Sequence, residues 1–212
     1  NMFAGDNGSA MQVSLSAAIP VAYIMQSAFD SLHLKKVALR VDAFDRKKQL
    51  SIDGISVSRH EARAGETVRL SVLLTGDNGA ETTKEIDYQV PTGAEPGTIF
   101  FTAADANTTN LTDFRQVLTA NPRSPGQLIT IVNNLHPNNK AYIRVWRADP
   151  AFQLEGADLP DPPASVALIL GGSQSTLAGV TQTRNSKVAE LELDGGDSVI
   201  SGVKTVQLEV KE

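Results

Sequence analysis

The chain has 212 residues and no cysteine, and 41% of its residues are hydrophobic while 20% are charged. This composition is typical of one large or two small folded domains and argues against disorder. The lack of cysteine excludes disulfides, thiolate zinc sites, iron–sulfur clusters and cysteine nucleophiles. The formal net charge of −5, with no basic run, disfavours a nucleic-acid partner.

The sequence holds no apolar run of the roughly 20 residues that a membrane-spanning helix needs, so we expect no membrane span. The first residues also lack the basic stretch that opens a signal peptide. We interpret the start as a cut made inside a longer chain.

The first predicted elements are a helix and two strands. Apolar residues at three- and four-residue steps predict a helix over 19–32, with Pro20 in its first turn. Alternating apolar residues predict a strand over 35–44. A second strand, 49–58, changes phase at Gly54, which predicts a β-bulge there.

The stretch GDNGAE (76–81) separates two strand-like runs and predicts a hairpin. A two-residue turn would place the apolar faces of the two strands on opposite sides of the sheet. A three-residue loop of Asp77, Asn78 and Gly79 instead sets Leu70 opposite Ile86. We therefore predict this loop, with Gly79 in a left-handed conformation.

A further strand, 97–105, brings the total to about five short strands in some 70 residues, which is typical of an immunoglobulin-like β-sandwich. Two helices follow, 110–122 with Asn110 as its N-cap and 124–137 with Ser124 as its cap. The apolar stripe expected to be buried in the first of these helices consists of Leu111, Phe114 and Leu118.

The last part of the chain returns to strands over 140–149, 187–193 and 203–210, while 159–172 fits either a strand or a short helix. We predict a mainly β (α+β) fold: an immunoglobulin-like β-sandwich with an N-terminal helix, an inserted helical hairpin and a closing β-segment. The segments are a leader and helix over 1–33, the sandwich over 34–106, and the helical hairpin with a second β-segment over 107–212.

Few residues suggest chemistry. His33, His60 and His136 are scattered and lack metal-ligand spacing, and there is no nucleophile elbow, phosphate loop or dinucleotide fingerprint. The acidic loops GDNGAE and LDGGDS offer too few oxygens for calcium and are better explained as turns. We predict no catalytic residue, metal site or cofactor.

The strand over 140–149 carries the candidate contact residues. Tyr142, Arg144 and Trp146 alternate, so they share one face of the strand. Aromatic and arginine side chains are enriched at interfaces, which makes these three candidate contacts for a ligand or partner. Aromatic residues in this pattern also commonly lie in a core.

Three stretches together resemble one protein family. Residues 28–74 contain a strand pair and a Gly-Glu-Thr-Val entry to a long strand, and 86–101 contain Pro-Gly-x-Ile after a proline break. A helix pair over 111–134 precedes a Gly-x-x-Leu-Pro-x-x-Pro-x-Ser-Val segment within 154–170. This pattern is similar to the C-terminal, non-peptidase region of bacterial exported proteins with a serine-peptidase domain like that of stage IV sporulation protein B.

The resemblance covers roughly residues 28–210 and implies an accessory module outside the cytoplasm. The peptidase domain of that family precedes this region and carries the nucleophilic serine in a small-residue turn. This sequence has no such turn, so no catalytic residue of the family transfers to it.

We therefore expect a non-catalytic module of a larger exported bacterial protein, periplasmic or secreted, that contacts a neighbouring domain or a cell-envelope protein. One alternative is a carbohydrate-binding module that uses Tyr142, Arg144 and Trp146. A lower-ranked alternative is a hydrolase whose carboxylates meet only in the fold.

Overall fold

The computed structural model describes residues 9–26, 29, 33–42, 48–120, 125–148, 151–154, 157–159, 163–171, 180–183 and 186–212. Over these residues the protein is mainly β, with two large sheets that pack as a β-sandwich around one core. A three-stranded sheet and four helices complete the described elements.

The strands in chain order are β1 (Gln49–Val57), β2 (Glu61–Arg63), β3 (Thr67–Gly76), β4 (Glu81–Gln89), β5 (Gly97–Asp105), β6 (Lys140–Arg147), β7 (Ala151–Leu154), β8 (Ala157–Leu159), β9 (Val180–Thr183), β10 (Ser186–Asp194), β11 (Val199–Ser201) and β12 (Val203–Lys211). The helices are α1 (Ser9–Met25), α2 (Ala106–Ala120), α3 (Pro125–Asn133) and α4 (Ala164–Gly171).

Sheet A has the order β11-β1-β3-β4, and sheet B has the order β10-β6-β5-β12-β2. The long strands pair antiparallel within each sheet. The short strands β2 and β11 join in parallel, on β12 and β1 respectively. Sheet C, of order β8-β7-β9, is the small third sheet.

The core lies between sheets A and B. Alternate residues of β3 point inward, and the side chains of Val68, Leu70, Val72 and Leu74 are fully buried. Sheet B contributes buried residues from β5, β6, β10 and β12 to the same cluster. The predicted segments 34–106 and 107–212 therefore supply strands to one common core.

The hairpin register is confirmed. Leu70 lies opposite Ile86 and Val68 opposite Tyr88, as the three-residue loop requires. Gly79 has φ of 76°, the left-handed conformation expected for it. Asn78 Oδ1 accepts a hydrogen bond from the Ala80 N–H at 3.0 Å, which stabilises the turn. The predicted bulge at Gly54 is also confirmed by a register shift between Ile52 and Gly54.

Replacing Gly79 with alanine is expected to lower the free energy of unfolding by about 1 kcal/mol, because a Cβ disfavours positive φ. Free space surrounds the added methyl group, so steric contact with neighbours does not contribute. Chemical denaturation would measure the change. Gly93→Ala is the matched control, since Gly93 also has free space and no positive φ. Equal stabilities of the two variants would contradict this explanation.

The N-terminal helix has other bounds than predicted. α1 runs from Ser9 to Met25, and Pro20 lies inside the helix instead of in its first turn. The residues before Pro20 include alanine, leucine, methionine and glutamine, which favour a helix, so the helix extends through the proline. Within the described ranges, no helix combines the length and apolar character needed to cross a membrane.

The strand predicted over 35–44 is wrong for the part that is described, because residues 33–42 belong to no helix or strand. Residues 43–44 lie outside the described residues. Val37, Leu39 and Val41 are 55%, 62% and 59% exposed. An alternating pattern specifies which side chains share a face, but a strand also needs a neighbour that pairs with its backbone.

The cap predicted for α2 is also wrong. The helix begins at Ala106, directly after β5, and Asp105 caps it by accepting the Thr108 N–H at 2.7 Å. The second carboxylate oxygen of Asp105 accepts the Gly202 N–H at 2.7 Å. Leu111, predicted to be buried, is exposed. The side chains of Phe114 and Leu118, like Ser124, lie outside the described residues.

The remaining predictions concern shorter elements. The third predicted helix, 124–137, corresponds to α3, which ends at Asn133. The ambiguous stretch 159–172 divides between the end of β8 and the short helix α4. The three late strands correspond to β6, β10 and β12, although β11 separates the last two.

Candidate functional site on the outer face of sheet B

The three candidate contact residues share one strand face, as predicted. Tyr142, Arg144 and Trp146 lie opposite Ala104, Thr102 and Phe100 of β5, on the side of β6 that points away from the core. Helix α2 contacts β5 and β6. The three side chains have different surroundings, which decide what each one can do.

Tyr142 is buried beneath the loop that leads into β6. Its hydroxyl group donates a hydrogen bond to the Pro137 carbonyl oxygen at 3.0 Å. Its ring meets the His136 ring edge to face, with centroids 4.3 Å apart. Burial, assisted by the charges of Glu192 and Glu190, raises the pKa of Tyr142 to about 12. Tyr142 therefore anchors the loop and offers no ring surface to a ligand.

Arg144 is held between two carboxylates, and its side chain is only 14% exposed. Its Nη2 lies 2.7 Å from both carboxylate oxygens of Asp113 on α2. Its Nε lies 2.7 Å from Glu190 Oε2 on β10. Burial acts to lower the pKa of Arg144, but Asp113 and Glu190 together raise it above its usual value.

Glu190 connects Arg144 to a histidine. Its Oε1 lies 2.9 Å from His136 Nε2. The pKa of Glu190 is lowered to about 2, and the largest cause is its hydrogen bond with His136. Burial acts in the opposite direction and raises the pKa, while Arg144 and Lys187 lower it further. Glu190 is directly opposite Arg144 in the β6–β10 pairing, which explains why the two side chains meet.

His136 is also fixed by Asn110 of α2. The Asn110 amide donates to the His136 carbonyl oxygen at 3.0 Å, while its Oδ1 accepts the His136 backbone N–H at 2.8 Å. The same oxygen lies 3.0 Å from His136 Nδ1. Both ring nitrogens thus face oxygen acceptors, Asn110 and Glu190.

We call Asn110, Asp113, His136, Arg144 and Glu190 the outer-face cluster. It joins α2, the loop before β6, and strands β6 and β10 through hydrogen bonds and ion pairs. A histidine beside a glutamate can act as a general base, but such a base must reach a substrate proton. Here both ring nitrogens are engaged inside the protein, so this arrangement clamps the helix to the sheet.

Sequence reasoning missed this cluster, although it named Asn110, His136 and Arg144 separately. Arg144 lies 31 residues from Asp113 and 46 residues from Glu190 along the chain. The available signal was the spacing of Asn110 and Asp113, which places them on one side of a predicted helix. Their partners became identifiable only once α2 was placed on sheet B.

Trp146 differs from its two neighbours because it is half-buried at the surface. Its ring stacks on Phe100, with centroids 4.3 Å apart and planes inclined by 15°. Its indole N–H donates to Thr102 Oγ1 at 2.9 Å, and Thr102 also contacts the Thr205 hydroxyl. Phe100 and Trp146 thus form a stacked aromatic pair across strands β5 and β6.

The other candidate features behave as structural elements. Asp194 Oδ1 accepts the Gly196 N–H at 2.9 Å within the DGGDS turn. His33 and His60 are exposed. Among the residues that the structure describes, no three histidine, cysteine or acidic side chains come together in a way that could hold a metal ion.

Comparisons with known proteins identify no relative from which a function could be inferred. No family model, curated protein or solved structure matches the chain.

Proposed function

We propose that the protein is a non-catalytic accessory module of a larger exported bacterial protein, and that it binds a neighbouring domain or a cell-envelope protein. Its location outside the cytoplasm belongs to the same proposal and rests on the family resemblance described above. An immunoglobulin-like form of the sandwich is also proposed, and it is supported by the antiparallel succession of β1, β3 and β4.

The observation that carries the proposal is the outward face of α1. The helix contains no charged residue from Ser9 to Met25. Its exposed side chains include Met11, Leu15, Ala18, Ala22 and Met25. Their alternating spacing of four and three residues forms one seam along the helix, the pattern that packs against a second helix.

This seam is unusual for a surface in contact with water. The outward face of a helix on a soluble domain normally carries charged or polar side chains. A contiguous apolar surface marks an interaction site. We therefore infer that an apolar face of a neighbouring protein element covers the α1 seam in the complete protein.

The non-catalytic part of the proposal is supported by the outer-face cluster. Its ionisable groups are committed to one another, with Arg144 between Asp113 and Glu190 and with His136 against Glu190. A hydrolase of two carboxylates would require both to face a common cleft. Asp113 and Glu190 instead both face Arg144.

The carbohydrate-binding alternative has less support. It needs three side chains that can meet a sugar from solvent. Tyr142 is buried, and Arg144 is bound by two carboxylates. Trp146 is half-buried and already stacked on Phe100. We therefore favour a protein partner.

The proposal predicts a specific effect of a charge placed in the α1 seam. The gene region that precedes residue 1 would be expressed separately, and its binding to the 212-residue chain measured by calorimetry. Leu15→Arg is expected to weaken binding at least about tenfold, or about 1.4 kcal/mol, because it places a charge in an apolar contact.

The matched control is Gln12→Arg, which adds the same charge to an exposed position at the flank of the seam. It should bind within a small factor of the unmodified chain. Equal losses in both variants would contradict the role given to the seam, and no binding by the unmodified chain would contradict a partner in the preceding domain. An open reading frame that starts near Met2 behind a signal peptide would also count against it.

A further inference from the structure

Residues 33–42 have the side-chain pattern of a strand without a strand partner in the described structure. Val37, Leu39 and Val41 alternate with polar or small residues, and all three are more than half exposed. Isolated exposed aliphatic side chains are ordinary, but three at alternate positions form a continuous apolar edge in an extended chain. We call residues 33–42 the donor segment.

Strand β4 offers a sheet edge of matching length. It is the last strand of sheet A, and among the described elements it pairs only with β3. The Gly76 N–H bonds to the Ala80 carbonyl oxygen, which sets the alternation of hydrogen-bonded pairs along the hairpin. By that alternation, the backbone groups of Thr83, Glu85 and Asp87 point away from β3. No described strand pairs with these groups, so this edge is where an added strand would bind.

The two faces of β4 match the two faces of the donor segment. On the inner side of β4, Ile86 is half-buried and Tyr88 is buried, so both extend the core toward the edge. On the outer side, Glu85 and Asp87 carry two negative charges, and Arg69 of β3, which contacts both, contributes one positive charge.

If the donor segment joins β4 with its aliphatic residues pointing inward, it has the same apolar inner side and charged outer side as β4. Val37, Leu39 and Val41 would then continue the apolar row of Ile86 and Tyr88. Lys36 and Arg40 would point outward, to the same side as Glu85 and Asp87. Apolar contact and charge therefore both favour this orientation over the one in which the aliphatic side chains of the donor segment point outward.

We propose that two copies of the chain exchange donor segments, each adding residues 33–42 as a strand to the β4 edge of the other copy. In the structure, the donor segment does not occupy the β4 edge of its own chain. A second copy presents an identical edge and an identical segment. Reciprocal exchange satisfies both and closes a two-fold dimer with no donor segment left over.

This inference is independent of the proposed function, because it concerns neither α1 nor the preceding gene region. Sedimentation of the 212-residue chain is expected to show a concentration-dependent dimer. Leu39→Asn should weaken the dimer at least about tenfold, since it removes a central aliphatic contact. Ala38→Asn is the matched control in the same exposed segment, and it should leave the dimer intact because position 38 faces outward.

A charge exchange tests the β4 edge itself. Glu85→Lys should weaken the dimer, and adding Lys36→Glu to that variant should restore it at least in part. Hydrogen exchange should show protected amides over residues 37–41 in the dimer and not in Leu39→Asn.

Several results would overturn the inference. They are a monomer at all concentrations, a dimer unaffected by Leu39→Asn, and no rescue in the double variant. A monomer with protected amides over 37–41 would assign the segment to its own chain and would equally overturn the exchange.

Discussion

Replacing Arg144 with methionine is expected to lower the free energy of unfolding by about 3 kcal/mol. Methionine retains an unbranched apolar side chain but removes the cation that separates Asp113 from Glu190. Two carboxylates would then share a largely buried space without their common partner. The loss of charge compensation, more than the loss of packing, is expected to produce this effect. Urea unfolding at neutral pH would measure it.

Arg69→Met provides a matched control on the other sheet. Arg69 of β3 also contacts two carboxylates, Asp87 at 2.9 Å and Glu85 at 3.6 Å. All three side chains are more than half exposed, so water already screens the charges. We expect little change in stability. A similar loss in both variants would show that burial does not determine the effect of Arg144.

The second large effect is a pH dependence that Glu190→Gln removes. Folding lowers the pKa of Glu190 from its ordinary value of 4.5 to about 2. A carboxylate with a lowered pKa stabilises the folded state fully above its ordinary pKa. This stabilisation, about 3 kcal/mol for such a change, is lost as the pH falls from 4.5 toward 2.

Glu190→Gln is therefore expected to be less stable than the unmodified protein at neutral pH, by up to about 3 kcal/mol. The difference should shrink steadily below pH 4.5 as Glu190 becomes protonated in the unmodified protein. Unfolding curves in urea across this pH range would show the two stabilities converging. Parallel pH profiles would contradict the role given to Glu190.

The control for this experiment is Glu192→Gln, two residues further along β10. Glu192 pairs with Lys140 at 2.5 Å, and its side chain is more than half exposed. We expect this variant to retain the acid-dependent loss of stability seen in the unmodified protein. A flattened profile in Glu192→Gln would show that the general charge of β10, and not Glu190 with its partners, produces the effect.

Local rules were sufficient where an element depends on its immediate neighbours in sequence. The hairpin at 76–81 could be predicted because a three-residue loop, unlike a two-residue turn, placed the apolar residues of β3 and β4 on the same side. The bulge at Gly54 followed from a phase change within a single strand. In both cases the competing arrangements differ by exposing a row of apolar side chains, which is a large energetic difference.

Local rules failed where the partner of an element is distant. Residues 33–42 have a strand pattern but occupy no strand, because no described neighbour pairs with their backbone. Asn110 is a good cap by residue type, yet it contacts the His136 loop, while Asp105 caps α2. The residue types of Asn110 and Asp105 indicate that each side chain can form hydrogen bonds, but they do not indicate which partner each one binds.

By itself, the sequence determined that this protein is mainly β, where its seven long strands lie, and which face of each long strand is apolar, because these properties depend on alternation over a few residues. Only the tertiary structure decided that Tyr142 is buried, that Arg144 is neutralised by Asp113 and Glu190, and that Trp146 stays at the surface. These three residues are equivalent in the alternation of β6. Their different surroundings arise because a different element meets each of them. The loop before β6 covers Tyr142, α2 and β10 supply the carboxylates around Arg144, and β5 supplies the ring that stacks on Trp146.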